Sequence, residues 1–365
     1  MKTITVMTTI NSPGKTIATL IDNCNFTIII GDKKTPDKKW EETRYNLLYI
    51  DIEKQLKGDF LLAKALPINH YSRKNVGYLE AIRRKPTSIL DIDDDNYPYI
   101  EKGSTKLLIE RYANCQDLEH PICSNEGFLN LFPAYYSIFN KKGENFIPLP
   151  RGLPLRDINN IPMGFLKTNF KTNIGIWQGI LDGEPDLSAS FRLQNPEYSI
   201  EPKQFRKIVI SKDNYIPINS QLTLWSEEKL FPLLYLPSTV SFRFSDILRG
   251  YIALVIAFKN GYDIACVNSV GFQDRNRHDL LDDYRQEERM YNINEDIMQI
   301  IKESLKKERI EDNLIEVYEE LERKKITEKK EISLLKLWLD DLDYIKLWLG
   351  DLDYIKWRDG NKNLV

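Results

Sequence analysis

Thr87-Ser88-Ile89-Leu90-Asp91-Ile92-Asp93-Asp94-Asp95-Asn96 is the stretch on which the fold turns. A short apolar run of the kind buried in a sheet ends in four carboxylates within five residues. Carboxylates so crowded repel one another, and a chain that gathers them at a strand end commonly holds a cation there. Alternation would place Asp91, Asp93 and Asp95 on one side if the strand persisted. Hard oxygen ligands suit Mg²⁺ or Mn²⁺, either of which would also screen a bound diphosphate. The plain alternative is an acidic, solvated turn.

Upstream, the β-branched runs TITVMTT (3–9) and FTIIIGD (26–32) precede a helical pattern, YSRKNVGYLEAIRR (71–84). Strand, connection and strand at this spacing predict an α/β fold with a mostly parallel sheet and covering helices. Ligands of such sheets bind beyond the carboxyl ends of the strands. Three polar segments fall there: Thr8 to Asn11, Gly31 to Thr35 and Asp91 to Asn96. Arg73 and Lys74 open the predicted helix, where the dipole disfavours cations unless an anion neutralises them. A diphosphate is one such anion, a surface salt bridge the other reading, and Lys33 and Lys34 are equally ambiguous. Further on, Ser245 is the predicted helix cap, with Asp246 in the first turn complementing the dipole. His278 lies in the polar loop QDRNRHDL.

At 365 residues the chain exceeds the usual single-domain length. All 17 prolines lie at or before Pro237, and neither Gly nor Pro occurs between Gly271 and Gly350. That shift predicts an α/β domain over 1–290 and a helical C-terminal extension over 291–365. The extension carries a ten-residue duplication, KLWLDDLDYI at 336–345 and KLWLGDLDYI at 346–355. Leu335, Trp338, Leu342, Ile345, Leu349 and Leu352 step by three and four, giving an amphipathic helix over 333–357 whose stripe, with Trp338 and Trp348, meets another subunit or the catalytic domain. Its acidic excess opposes docking on anionic lipid. With 51 basic and 54 acidic residues, a net charge of −3 gives no global reason to bind nucleic acid. No apolar run approaches the roughly 18 residues of a membrane span, and no secretory signal is visible, so the expectation is a soluble, cytoplasmic protein. Four cysteines without CxxC spacing predict reduced core residues rather than disulfides or structural zinc.

Taken together, the ordered blocks VMTTINSPGK, IIIGDKKTP, YSRKNVGYLEAI, DIDDDN, LPRGLPL, IWQGILDGEPDLSASFRL, PINSQLTLW, LPSTVSFRFSDILRGY and GFQDRNRHDLLDDY resemble the STELLO family of glycosyltransferases, known in plants as Golgi proteins that affect cellulose synthesis. The resemblance spans about residues 4–284 and leaves the C-terminal extension outside. Asp91 and Ser188 stand where the family pattern leads one to expect Glu and Asp. The resemblance implies a GT-A-like fold and metal-dependent transfer of a sugar from a nucleotide diphosphate to a glycan or other hydroxyl acceptor, in surface glycan or polysaccharide synthesis. Asp93 and Asp95 are then the metal ligands, with His278 as a third. Thr9, Asp32 and Arg73 line the nucleotide pocket, Arg73 near the phosphates, and Asp91 and Asp94 complete the acidic run beside the cofactor. Asp246 is the general base that accepts the acceptor's proton. A nucleotide-sugar mutase and a non-catalytic scaffold that keeps the fold are the alternatives.

Overall fold

The computed structural model describes residues 2–14, 20, 26–41, 46–113, 115, 117–123, 125–167, 172–212, 214–276 and 279–350. Thr3–Thr8 (β1), Phe26–Ile30 (β2), Leu47–Ile50 (β3) and Ser88–Asp91 (β4) pair in parallel in the order β3-β2-β1-β4. Alternation along them separates two apolar faces: Ile28, Ile30 and Ile89 enter one core cluster, Ile29 and Leu90 the other. Strands buried on both faces need a covering layer on each. On the first face lie the short helix α1 (Leu61–Ala65) and α2 (Lys74–Ile82). Gly77 lets α2 settle onto the sheet, because a Cβ there would lie 2.6 Å from Val6 Cγ1 and 2.9 Å from Ile30 Cγ1.

The remaining strands of this sheet are β5 (Asn96–Pro98), β6 (Glu119–Ile122), β7 (Gly164–Lys167), β8 (Ile174–Gly183), β9 (Lys207–Ile210), β10 (Thr223–Trp225) and β11 (Asp263–Gln273). They complete an 11-stranded sheet in the order β7-β6-β9-β11-β8-β10-β4-β1-β2-β3, with β5 on β11. β10 runs antiparallel to both β4 and β8, whereas β8 and β11 are parallel. The architecture is α/β, with the parallel pairing concentrated around β1 and a mixed half beyond β10.

Helix α3 (Phe242–Lys259) crosses the interior, every residue from Arg243 to Ala257 being buried. Its cap corrects the sequence reading. Ser241, not Ser245, precedes the first helical residue, and the Ser245 hydroxyl donates to the Pro237 carbonyl at 2.7 Å, so Asp246 lies beyond the first turn.

Three helices follow: α4 (Leu280–Ser304), α5 (Ile310–Arg323) and α6 (Lys329–Gly350). The change of character expected near residue 290 falls inside α4. Apolar residues of all three helices, among them Ile297, Tyr318 and Trp338, join the same core cluster as Ile4 and Val6. The stripe on α6 therefore packs against its own chain. Leu335, Trp338, Leu342 and Ile345 are buried, each aliphatic contributing about 1.5–3 kcal/mol. The Trp338 indole donates to the Pro232 carbonyl at 3.0 Å. Two buried acids fix the register: Asp341 accepts from the amides of Leu61 and Leu62 at the start of α1, and Glu331 from those of Ser238 and Thr239 and from the Tyr235 hydroxyl. Trp348 departs from the expected stripe and is 46% exposed. Leu352 and the rest of the second repeat, from 351 on, lie outside the described residues.

No helix among the described residues is long and apolar enough to cross a membrane. Cys115, Cys123 and Cys266 are free thiols, of which only Cys266 is buried; Cys24 lies outside the described residues.

Candidate active site

The carboxyl ends of β1, β2 and β4 open into a cleft of about 580 Å³. Thr9, Asp32, Asp93, Asp94, Asp95 and Asp246 all line it, the first five from the strand-end segments that the sequence places at the rim. Arg73 and Asp91 do not line it, and His278 lies outside the described residues.

One wall is the acidic turn. β4 ends at Asp91, and the chain then folds back through a 3.3 Å hydrogen bond from the Asn96 amide to the Asp93 carbonyl, so the period-two pattern stops. Asp91 still obeys it: two residues after Ile89, it points beneath the sheet, where Lys74 Nζ lies 2.6 Å from Oδ1 and Arg249 Nη2 2.8 Å from Oδ2. Asp91 is completely buried and anchors α2 and α3 rather than a ligand. Arg73 is equally interior, its guanidinium donating to Gln55 Oε1 and to the carbonyls of Leu66 and Ala63. These three acceptors satisfy it without an anion, which corrects its placement at the phosphates.

Asp93 accepts from the Tyr71 hydroxyl at 2.9 Å and from Lys74 at 3.1 Å. Burial pushes its carboxyl up, Lys74 opposes this, and the charges of Asp95, Asp91 and Asp246 add to the rise, leaving it at about 6. Asp94 Oδ2 accepts from the Thr9 hydroxyl and from Asn11 Nδ2 at 2.8 Å. Asp95 Oδ1 accepts from Asn96, and its Oδ2 from Gln273 Nε2 at 3.3 Å. Burial also raises Asp95, with Arg275 opposing and Asp94 reinforcing. Asp32 braces its loop, accepting from the Lys33 amide at 2.7 Å and the His70 amide at 3.0 Å.

The other wall is built on arginine. Arg151 forks onto Asp246, Nη1 to Oδ1 at 2.8 Å and Nη2 to Oδ2 at 2.9 Å, and its Nε reaches Asp186. Arg243 pairs with the buried Glu287 at 2.7 Å. Burial acts to raise the Asp246 carboxyl, but the Arg151 guanidinium prevails and holds it below the usual carboxylate range. A carboxylate so bound through both oxygens is a poor proton acceptor. The general-base role expected of Asp246 is therefore not what its surroundings favour.

Partly buried carboxylates whose ionised form is disfavoured are the chemistry a hard divalent cation would relieve, and Asp93 and Asp95 meet that description. Among the described residues no three His, Cys, Asp or Glu side chains already form a metal shell. Arg151, Arg243 and Arg275 escaped the sequence reading, which gave Asp186 no role. The available signal was a charged residue inside each of the blocks LPRGLPL, GEPDLSA, SFRFSD and FQDRNR, yet nothing in the sequence shows that these blocks meet.

A family model described as STELLO glycosyltransferases matches residues 243–359. It runs through α4, α5 and α6, correcting the expectation that the extension lies outside the resemblance. Two curated proteins of Arabidopsis thaliana, "Probable glycosyltransferase STELLO2" and "Probable glycosyltransferase STELLO1", are each 28% identical over 233 residues, covering 61% of this chain. The match spans 29% of the length of each relative. A solved structure titled "Crystal Structure of a Mycobacterial Protein" aligns at a TM-score of 0.40 and 11% identity, over 81% of this chain and 74% of that one.

Proposed function

Since this chain is related to the STELLO glycosyltransferases, we propose that its cleft transfers a sugar from a nucleotide-diphosphate donor to a hydroxyl acceptor in a divalent-metal-dependent reaction. The observation that carries this reading is the convergence of Asp93, Asp94 and Asp95 with Thr9, Asn11 and Asp32 at the carboxyl ends of three parallel strands. Strand ends of this kind are the usual place for a nucleotide in an open α/β sheet. Asp93 and Asp95 would hold Mn²⁺ or Mg²⁺. When bound, such a cation neutralises a diphosphate and makes the nucleotide a better leaving group.

The chain's own part is orientation and charge. Tyr71 and Lys74 fix Asp93 from behind, leaving it to face the cleft. Thr9 and Asn11 turn Asp94 towards β1. Opposite them, Arg151 holds Asp246 as a fixed anion that orients an acceptor hydroxyl rather than taking its proton. A retaining transfer needs no separate base, and that stereochemistry agrees with the Arg151 fork.

The test is a thermal-shift series with uridine and guanosine diphosphates, with and without Mn²⁺. A nucleotide at 100 times its dissociation constant should stabilise the protein by about 2.7 kcal/mol. Asp93→Asn and Asp95→Asn should each abolish the Mn²⁺-dependent part of that gain. Full nucleotide binding in EDTA overturns the metal assignment, and no binding under any condition favours a scaffold over an enzyme.

A further inference from the structure

The arginine wall is unevenly served. Asp186 is one carboxylate facing three guanidinium groups: Arg151 Nη2 lies 2.7 Å away, Arg275 Nη2 3.4 Å and Arg243 Nη2 3.9 Å. Asn219 also donates to it, at 2.9 Å. Arg151 has Asp246 as a second partner and Arg243 has Glu287, both close. Among the described residues Arg275 has, besides Asp186, only Glu184, itself 52% exposed and 4.0 Å away. Its side chain is nonetheless 3% exposed, and its Nε has no hydrogen-bond partner. Behind it, Arg192 draws on the same Glu184 at 3.5 Å, and Arg192 Nη1 is also buried without a partner.

A guanidinium carries five donors, and a cation removed from water is unfavourable unless those donors are met. Arg275 lines the cleft. Its segment is tied to the acidic turn on both sides, Gln273 donating to Asp95 and Asn276 to Asp94 at 3.4 Å. An anion held beside the acidic turn would therefore lie next to Arg275, whose Nε is buried without a partner.

The geometry points to Arg275, reinforced by Arg192, as a subsite for a phosphate or carboxylate group of a substrate bound in the cleft. This deepens the proposed function by naming an anionic substrate class, and rests on it only in taking the cleft as the substrate site. The anion comes either from the donor diphosphate or from an acidic acceptor sugar. Planar, forked recognition of such oxygens is what arginine supplies and lysine does not.

Titration calorimetry on the full chain in EDTA, at fixed ionic strength, tests it with inorganic pyrophosphate, uridine diphosphate and glucuronate as probes. The unaltered protein should bind at least one of them without metal. Arg275→Gln should weaken that binding by about tenfold or more, the scale of one lost charge-assisted hydrogen bond. Arg275→Lys keeps the charge facing Asp186 and carries the test if the glutamine variant fails to fold; it should lose several-fold. Displacement of pyrophosphate by uridine diphosphate assigns the anion to the donor, and binding of glucuronate alone assigns it to the acceptor. Undiminished affinity in either variant, or no metal-free binding of any probe, overturns the subsite. The outcomes separate from those of the proposed function: absence of Mn²⁺-dependent nucleotide binding sinks the metal reading while leaving metal-free anion binding to stand or fall by itself.

Discussion

The two walls of the cleft use the same residue type to opposite ends. Asp93 and Asp246 both line the cleft, but a lysine shared with Asp91 serves the first, and a forked arginine serves the second. The first carboxyl is raised to about 6 and the second is held low. Their partners separate them: desolvation pushes both upward, and only Asp246 has enough cationic charge to reverse it. One wall therefore keeps an elevated carboxyl beside a single shared lysine, while the other is a brace closed by its own guanidinium groups.

Removing the brace should have the largest effect. Arg151→Met deprives Asp186 and Asp246 of their main partner and leaves buried carboxylates uncompensated, a change that costs about 3–5 kcal/mol. Chemical denaturation should show a loss on that scale. A loss under 1 kcal/mol would mean that the two walls are alike.

The extension reaches the brace from behind, so Glu331→Ala ranks next. The segment Tyr235 to Thr239 leads into α3, and three of its donors rest on this one buried carboxylate. Leaving them unmet should cost about 1–3 kcal/mol. An unchanged denaturation midpoint would show that α6 is an appendage rather than part of the α/β body.

The brace should also show in acid. Asp186 and Asp246 have folded-state values below the usual carboxylate range, Asp186 because the arginine charges outweigh its burial. Groups depressed in this way contribute stability that is fully present above the unfolded value of about 3.9 and is lost as pH falls through the folded values. The unaltered protein should lose stability steeply below about pH 4. Asp246→Asn should make that loss shallower, and an identical acid limb in the variant would remove Asp246 from the brace.

How far the sequence announced these walls follows from how local each one is. The acidic turn was legible because four carboxylates, their strand and their turn lie within ten residues, and Thr9 and Asp32 sit at neighbouring strand ends. Asp91 was misplaced because the same alternation that identifies the strand sends it inward with Ile89, where only the folded chain brings Lys74 and Arg249. Arg73 looked like a phosphate ligand because a cation at a helix start has no local partner; its acceptors come from the loop and helix before it. The arginine wall joins residues 151, 186, 243 and 275, and no periodicity connects segments so distant. The stripe on α6 was readable, but not its partner, because Leu335 and Trp338 would pack equally well on another copy.

The smallest expected effect is the one that sharpens the comparison most. Asp93→Asn removes a charge that Asp91, Asp95 and Asp246 all disfavour, and the amide keeps the size of the side chain and an oxygen for Tyr71 and Lys74. Lys74 retains Asp91 at 2.6 Å, so no buried cation is orphaned. In EDTA at neutral pH the variant should therefore unfold at the same midpoint as the unaltered protein or slightly above it, within about 1 kcal/mol, although substitutions more often destabilise. A residue whose replacement leaves folding intact while removing Mn²⁺-dependent nucleotide binding is there for its ligand. If Asp93→Asn instead loses as much stability as Arg151→Met, Asp93 is a second brace, and the contrast between the walls disappears.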